Sequence, residues 1–279
     1  MSMNWQLRLL AFIAIIASFS TWFPSRLNAA STNEARVTRV KNHVQLADSK
    51  NAAHRASVSD IIHEETVVRT GKGSRAELGF SDETVVRIAA HTGFDFNRGT
   101  RGLNLREGAV LVQAPKEANG ATIHAGSVAA AVAGTTVMIE YHPGFYKFLV
   151  LEGTARSYRP GHVGDSVLVR AGQMVFGNPE TALSDPVDVD IDRFMTTSRF
   201  ITDFPPLRSQ KSIVGESQKQ QREKSNKILI DTNLVIFGGG TQVSVVGQEQ
   251  TGTVDHKTAA LVTPHRVPSL SSNAAPALP

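Results

Sequence analysis

The sequence predicts an all-β protein: short stacked strands forming a β-roll, a short β-solenoid or a two-sheet sandwich, then one short helix and a disordered C-terminal tail. Three observations carry this expectation. Between Ala121 and Tyr158, three apolar runs (Val128–Val132, Val137–Tyr141 and Tyr146–Leu151) are followed by the turn signals Gly134, Pro143-Gly144 and Glu152-Gly153. Runs of this length, rich in Val, Ile and Thr and punctuated by Gly and Pro, are strands joined by tight turns. Turn signals recur about every 8–12 residues on either side, the spacing of sandwiches, barrels and stacked coils. No helical period of any length precedes Asp185.

The chain opens with a single charge, Arg8, before an apolar run from Leu9 to Phe19. That run has the length of a signal-peptide core and is short of the roughly 20 residues a membrane span needs. Residues 1–30 are therefore expected to be a signal peptide cut at Ala29-Ala30, with Ser18-Phe19-Ser20 as a second cleavage candidate. Uncleaved, Leu7–Phe23 would be a membrane anchor. The protein is thus expected in the periplasm or outside the cell, touching the membrane only if this segment stays.

The β domain is expected over residues 35–177. Arg36–Val40 and Val44–Leu46 alternate weakly and are expected to pair. Val58, Ile61 and Ile62 precede the strand-like Thr66-Val67-Val68. Gly71-Lys72-Gly73-Ser74 reads as a turn. Ala76, Leu78 and Phe80 then alternate with Glu77 and Gly79, the period of a half-buried strand. Ser81-Asp82-Glu83 turns into Val85, Val86 and Ile88. Leu103 and Leu105 alternate with Asn104 and Arg106, Glu107-Gly108 reads as a turn, and Val110–Val112 follows. Ser166–Val169 and Met174–Phe176 flank Ala171-Gly172-Gln173.

Read in register, these turns give a recurring unit of apolar strand, acid or small residue, Gly and apolar strand: LREGAVLV, VLEGTARSY and VRAGQMVF. Glycine suits such places because it accepts positive φ without steric cost. The pieces VVRTGKGSRAELGFSDETVVRIAAHT, LREGAVLVQAP, AVAGTTVMIEY, VLEGTARSY and VRAGQ, in that order from about Arg36 to Gly177, resemble the periplasmic domain of the FecR family. On that resemblance Gly71, Gly73, Gly108, Gly134, Thr135, Gly153 and Gly172 are the structural turn positions of the family pattern. Ala133 stands where the family often has Arg, and Val137 where an aromatic is common. Regulators of the family resemble a three-part design with a cytoplasmic anti-sigma segment, one span and a periplasmic part that meets a receptor's signalling domain. Fewer than ten residues precede the apolar run here. The resemblance therefore implies the periplasmic fold and protein binding, and not sigma-factor control.

Beyond the domain, residues 185–204 are expected to hold a short helix and connector. Asp188 or Asp190 is its cap, and Ile191, Phe194, Met195 and Ser198 share a face; the expected role is to cover an open edge or end of the β domain. Residues 209–227, rich in Gln, Lys, Ser and Glu, read as a flexible linker. Residues 228–247 read as a β-hairpin turning at Gly238-Gly239-Gly240, and 248–279 as a disordered tail.

No catalytic machinery is legible. Cysteine is absent, which excludes disulfides, thiolate catalysis and Cys-based zinc sites and leaves the compartment open. The nine histidines form no His-x-His or His-x-x-x-His pair with a flanking acid, so no metal site is expected. Gly238-Gly239-Gly240 lacks the ending and following helix of a phosphate loop. Asp82-Glu83 reads as a turn, and Asp188, Asp190 and Asp192 lack the Gly and distal Glu of a calcium loop. There is no Gly-x-Ser-x-Gly elbow, and Ser74 and Ser127 sit in turns with no His and acid arranged beside them. No cofactor is expected. The net charge of +4 is mild, and Lys and Arg are scattered among acids without the basic stripe of a nucleic-acid binder. Phe145 and Tyr146, after Pro143-Gly144, are the candidate contact residues, one of them pointing outward at a hairpin tip. The expected function is a non-enzymatic exported module that recognises an envelope protein or senses a signal. The alternatives are a structural envelope component and, behind it, a carbohydrate- or metal-dependent enzyme.

Overall fold

The computed structural model describes residues 34–48, 52–97, 102–118 and 120–223, together with the backbone of strands 229–232 and 243–246. The expected signal peptide, the Gly238-Gly239-Gly240 turn and the C-terminal tail lie outside these residues. In chain order the strands are β1 (Glu34–Lys41), β2 (Val44–Ala47), β3 (His54–Arg55), β4 (Ile61–His63), β5 (Val67–Thr70), β6 (Arg75–Phe80), β7 (Val85–Ile88), β8 (Gly93–Phe96), β9 (Gly102–Ala114), β10 (Ala121–Ala125), β11 (Val128–Val132), β12 (Thr135–His142), β13 (Phe145–Glu152), β14 (Thr154–Tyr158), β15 (Ser166–Arg170), β16 (Gln173–Gly177) and β17 (Val187–Asp188).

Pairing sorts them into two layers. Sheet A runs β4-β1-β6-β7-β9-β12-β13-β16-β17. Sheet B runs β3-β2-β5-β8-β9-β10-β11-β14-β15. All contacts are antiparallel except β9 with β10. The main core lies between the layers, built from one face of each: Val37, Leu78, Val86, Val110, Val112, Ile139, Phe148 and Val150 from sheet A, against Leu46, Val68, Phe94, Leu105, Ile123, Val132 and Val169 from sheet B. The expected all-β fold of short stacked strands is realised as two packed sheets that share one strand.

That strand is β9, and it corrects one reading of the sequence. Glu107-Gly108 is no turn between strands. It is a corner inside a single strand of 13 residues, whose first half pairs with β8 and β10 and whose second half pairs with β7 and β12. Gly108 has φ +96°, and a Cβ there would lie 2.6 Å from Thr92 Cα. Only glycine accepts both constraints. A second correction concerns β1 and β2. They do not pair; Asn42, at φ 61°, swings the chain from one layer to the other, so β1 joins β4 and β6 while β2 joins β3 and β5.

A second core lies on the outer face of sheet A. Leu111, Met138, Leu149, Leu151 and Met174 point away from the first core and pack against Ile191, Phe194, Phe200, Leu207 and Ile213. These belong to α1 (Ile191–Thr197), α2 (Arg199–Thr202), the following loop and α3 (Gln210–Glu223). Asp190 caps α1 by accepting from Arg193 N at 3.0 Å. The helices cover a sheet face rather than an edge, because β9, β12 and β13 are apolar on both sides and would otherwise expose half of their side chains. The flexible linker expected over 209–227 is helical from Gln210 to Glu223. Its Gln, Lys and Glu are good helix formers. Ile213 is fully buried, and Gln220 ties α3 down by accepting from Ile191 N at 3.1 Å and donating to Val189 O at 2.6 Å. Beyond it, β18 (Leu229–Thr232) and β19 (Val243–Val246) pair antiparallel, within the range expected for a hairpin.

Candidate functional site

Sheet A carries its charges among apolar neighbours. Glu140 on β12 and Lys147 on β13 face each other across the ladder, with Nζ 3.1 Å from Oε2 and both side chains almost wholly buried. His142 extends the cluster: Nε2 lies 3.4 Å from Glu140 Oε1 and Nδ1 lies 3.6 Å from Glu107 Oε1. Burial lowers the Lys147 pKa against the pull of Glu140. Burial would raise the Glu140 carboxyl, but the hydrogen bond with His142 and the Lys147 charge outweigh it, so its pKa falls. The hydrogen bond to Glu140 raises the His142 pKa against desolvation, and Glu107 adds to the rise. A lysine with a depressed pKa beside a carboxylate is a signature of general bases. Lys147, however, is 0% exposed and out of reach of any substrate from solvent.

Arg87, in the middle of β7, is 2% exposed and fully engaged. Nε donates to Glu77 Oε2 at 2.8 Å, Nη1 to Phe200 O at 2.6 Å and Nη2 to Pro205 O at 2.5 Å, and the guanidinium lies 4.9 Å from the Phe204 ring centre. Desolvation lowers its pKa, and Glu77 opposes that. Asp203 ion-pairs with Arg75 at 3.1 Å and Lys41 at 3.2 Å. Gln113 Oε1 accepts from Arg208 N at 3.1 Å, and Thr136 donates to Ser209 Oγ at 2.7 Å. These groups clamp residues 199–209 to the sheet. Between α1 and α3 a groove of about 420 Å³ is lined by Asp192, Met195, Val214, Ser217, Gln218 and Arg222, without a convergent reactive set.

The outer face of sheet B has no such cover among the described residues. Alternation with the core positions turns Arg55, Arg69, Arg106, His124, Arg156 and Arg170 to solvent, and all six are exposed. Cations that looked scattered along the chain are thus gathered on one face.

Gly73, Gly108, Gly134, Gly153 and Gly172 have positive φ; Gly71 does not, but its N–H donates to His43 O at 3.0 Å; Thr135 is buried. Of the two candidate contacts, Phe145 is half-buried beside the hairpin tip. Tyr146 lies wholly in the core between the sheets, where burial pushes its hydroxyl pKa up to about 12, so it is not a contact residue. The signal for Glu140, Lys147 and Arg87 was in the sequence: each is a charge inside an apolar strand run, VMIEY, FYKFLV and VVRIAA. Among the described residues, no three His, Asp or Glu side chains converge on a metal-sized space, and no helix is long and apolar enough to cross a membrane.

Residues 66–156 match the family model described as FecR protein, a third of the chain. The resemblance read from the sequence holds over that stretch; the match does not include its outer parts, residues 36–65 and 157–177. No curated protein matches the sequence. Two crystal structures from Parabacteroides distasonis ATCC 8503, each provisionally designated an anti-sigma factor, are similar at low level. One, at 12% identity and TM-score 0.39, covers 47% of this chain and 64% of its own. The other, at 10% identity and TM-score 0.38, covers 64% of this chain and 97% of its own.

Proposed function

We propose that this FecR-like chain is an exported, non-enzymatic module that recognises a protein of the cell envelope and acts in sensing or regulation there. The observation that carries the reading is the FecR match over residues 66–156. The apolar run Leu9–Phe19, with the length of a signal-peptide core, supports export. The inaccessibility of Lys147, the one depressed-pKa lysine among the described residues, supports a role without catalysis.

The test is a pull-down from envelope extract, with the tagged chain from Ser31 onward as one bait and the same chain ending at Glu223 as the other. The second bait keeps α3 and so keeps the sheet A face covered. One dominant partner held by both baits is the expected result. A partner held only by the longer bait moves recognition to the residues after Glu223. No partner with either bait overturns the reading.

A further inference from the structure

We propose that the uncovered outer face of sheet B is the docking surface, and that its occupant is an acidic surface of a partner protein; this rests on the recognition reading above. The face presents the guanidinium groups of Arg55, Arg69, Arg106, Arg156 and Arg170 with His124 beside them. Asp95 on this face is buried and already accepts from Arg106 Nε at 2.5 Å and Asn104 Nδ2 at 2.6 Å. The guanidinium groups of Arg69 and Arg170 have no partner among the described residues, and Arg156 only donates to Ser166 Oγ at 3.1 Å.

What lies between the cations argues for a protein. Across the ladder Arg156 sits between Ala131 and Leu168, and Ala129 sits between His124 and Tyr158. Ala131 and Leu168 are exposed and Tyr158 is half-buried. A floor of small and apolar side chains rimmed by Arg and Tyr is the composition of protein interfaces. The cations of this face are arginines, whose planar fork matches carboxylates in two parallel bonds. A face that docks on lipid would combine basic residues with exposed Trp, Phe or Leu inserted at the headgroups; here Leu168 is the one exposed large apolar side chain. Complementary charge of this kind governs partner choice and association rate and weakens with salt.

The test places a photo-reactive benzoylphenylalanine in the full chain, at Leu168 in one variant and at Val214 on α3 in another, in its native cells. Both positions are exposed, and unchanged thermal unfolding verifies each fold. The expected result is one discrete protein adduct at Leu168, mapped to an Asp- and Glu-rich segment of the partner. Arg156→Glu with Arg170→Glu lowers the yield at least tenfold, and Lys substitutions in the mapped segment restore it. An adduct with lipid or nucleic acid, a segment without acid excess, or a yield unmoved by charge reversal overturns the proposal. An adduct at Val214 but not at Leu168 overturns the face and leaves the recognition reading standing. No adduct at either position overturns both.

Discussion

Lys147 and Glu140 show how a charged residue is tolerated inside a doubly covered sheet. Each ion exchanges its hydration for the other, and the exchange works only while both are present. Lys147→Met alone leaves Glu140 buried beside an apolar chain and is expected to cost about 3 kcal/mol; the double change Lys147→Met with Glu140→Leu is expected to recover most of that. Urea unfolding of the four proteins of this cycle gives the answer. The same cluster sets a pH dependence. Glu140 has a depressed folded pKa, so its contribution is present above its ordinary 4.5 and lost as pH falls through the folded value. His142 has a raised one, so its contribution is present below its ordinary 6.5 and lost as pH rises through the folded value. Stability from Glu140 and His142 is therefore greatest between those ordinary values. His142→Gln is expected to flatten the fall on the alkaline side, read as denaturation midpoint against pH. Gly108→Ala is expected to cost about 2 kcal/mol or more, seen as a lower Tm, because a strained φ and the contact with Thr92 act together.

At the scale of elements, the segment from α2 to the start of α3 is a strap. Its Phe200 and Leu207 are buried in the outer core, and side chains from the sheet hold it as well through its backbone carbonyls and Asp203. Arg87 is the central fastener because its fork reaches Phe200 O and Pro205 O at once while Glu77 orients it. Lysine offers one compact ammonium in place of that fork. Arg87→Lys is thus expected to leave the strands intact and to speed amide hydrogen exchange in residues 199–209 by at least tenfold, whereas Arg69→Lys on the opposite side leaves that exchange unchanged. The strand alternation of β6 and the cap of α1 were legible beforehand, since both follow from side chains a few residues apart. The strap was not, because each of its bonds joins residues 73 or more positions apart.

Among the described residues, strands β1–β17 form two packed sheets, one with its outer face covered by helices and the other without such a cover. Removing the cover is expected to be ruinous: a chain ending at Pro186 would expose Leu111, Met138, Leu149, Leu151 and Met174, and is expected to aggregate or bind hydrophobic dye, while a chain ending at Glu223 keeps cooperative unfolding. The near-continuous apolar runs of β12 and β13 already held the sign of such a cover, since a strand wetted on one face alternates. What the amino-acid order determines alone is local: strands from the period of two, turns from Gly and Pro, and the FecR-like arrangement of those turns over residues 66–156. Tertiary structure alone decides which layer each strand joins, that Gly108 is a corner, that Tyr146 is core, and that arginines at positions 55, 69, 106, 156 and 170 share one face. The physical reason is that alternation fixes which side chains of one strand lie together, whereas hydrogen-bonded register between strands far apart in sequence fixes which strands lie side by side.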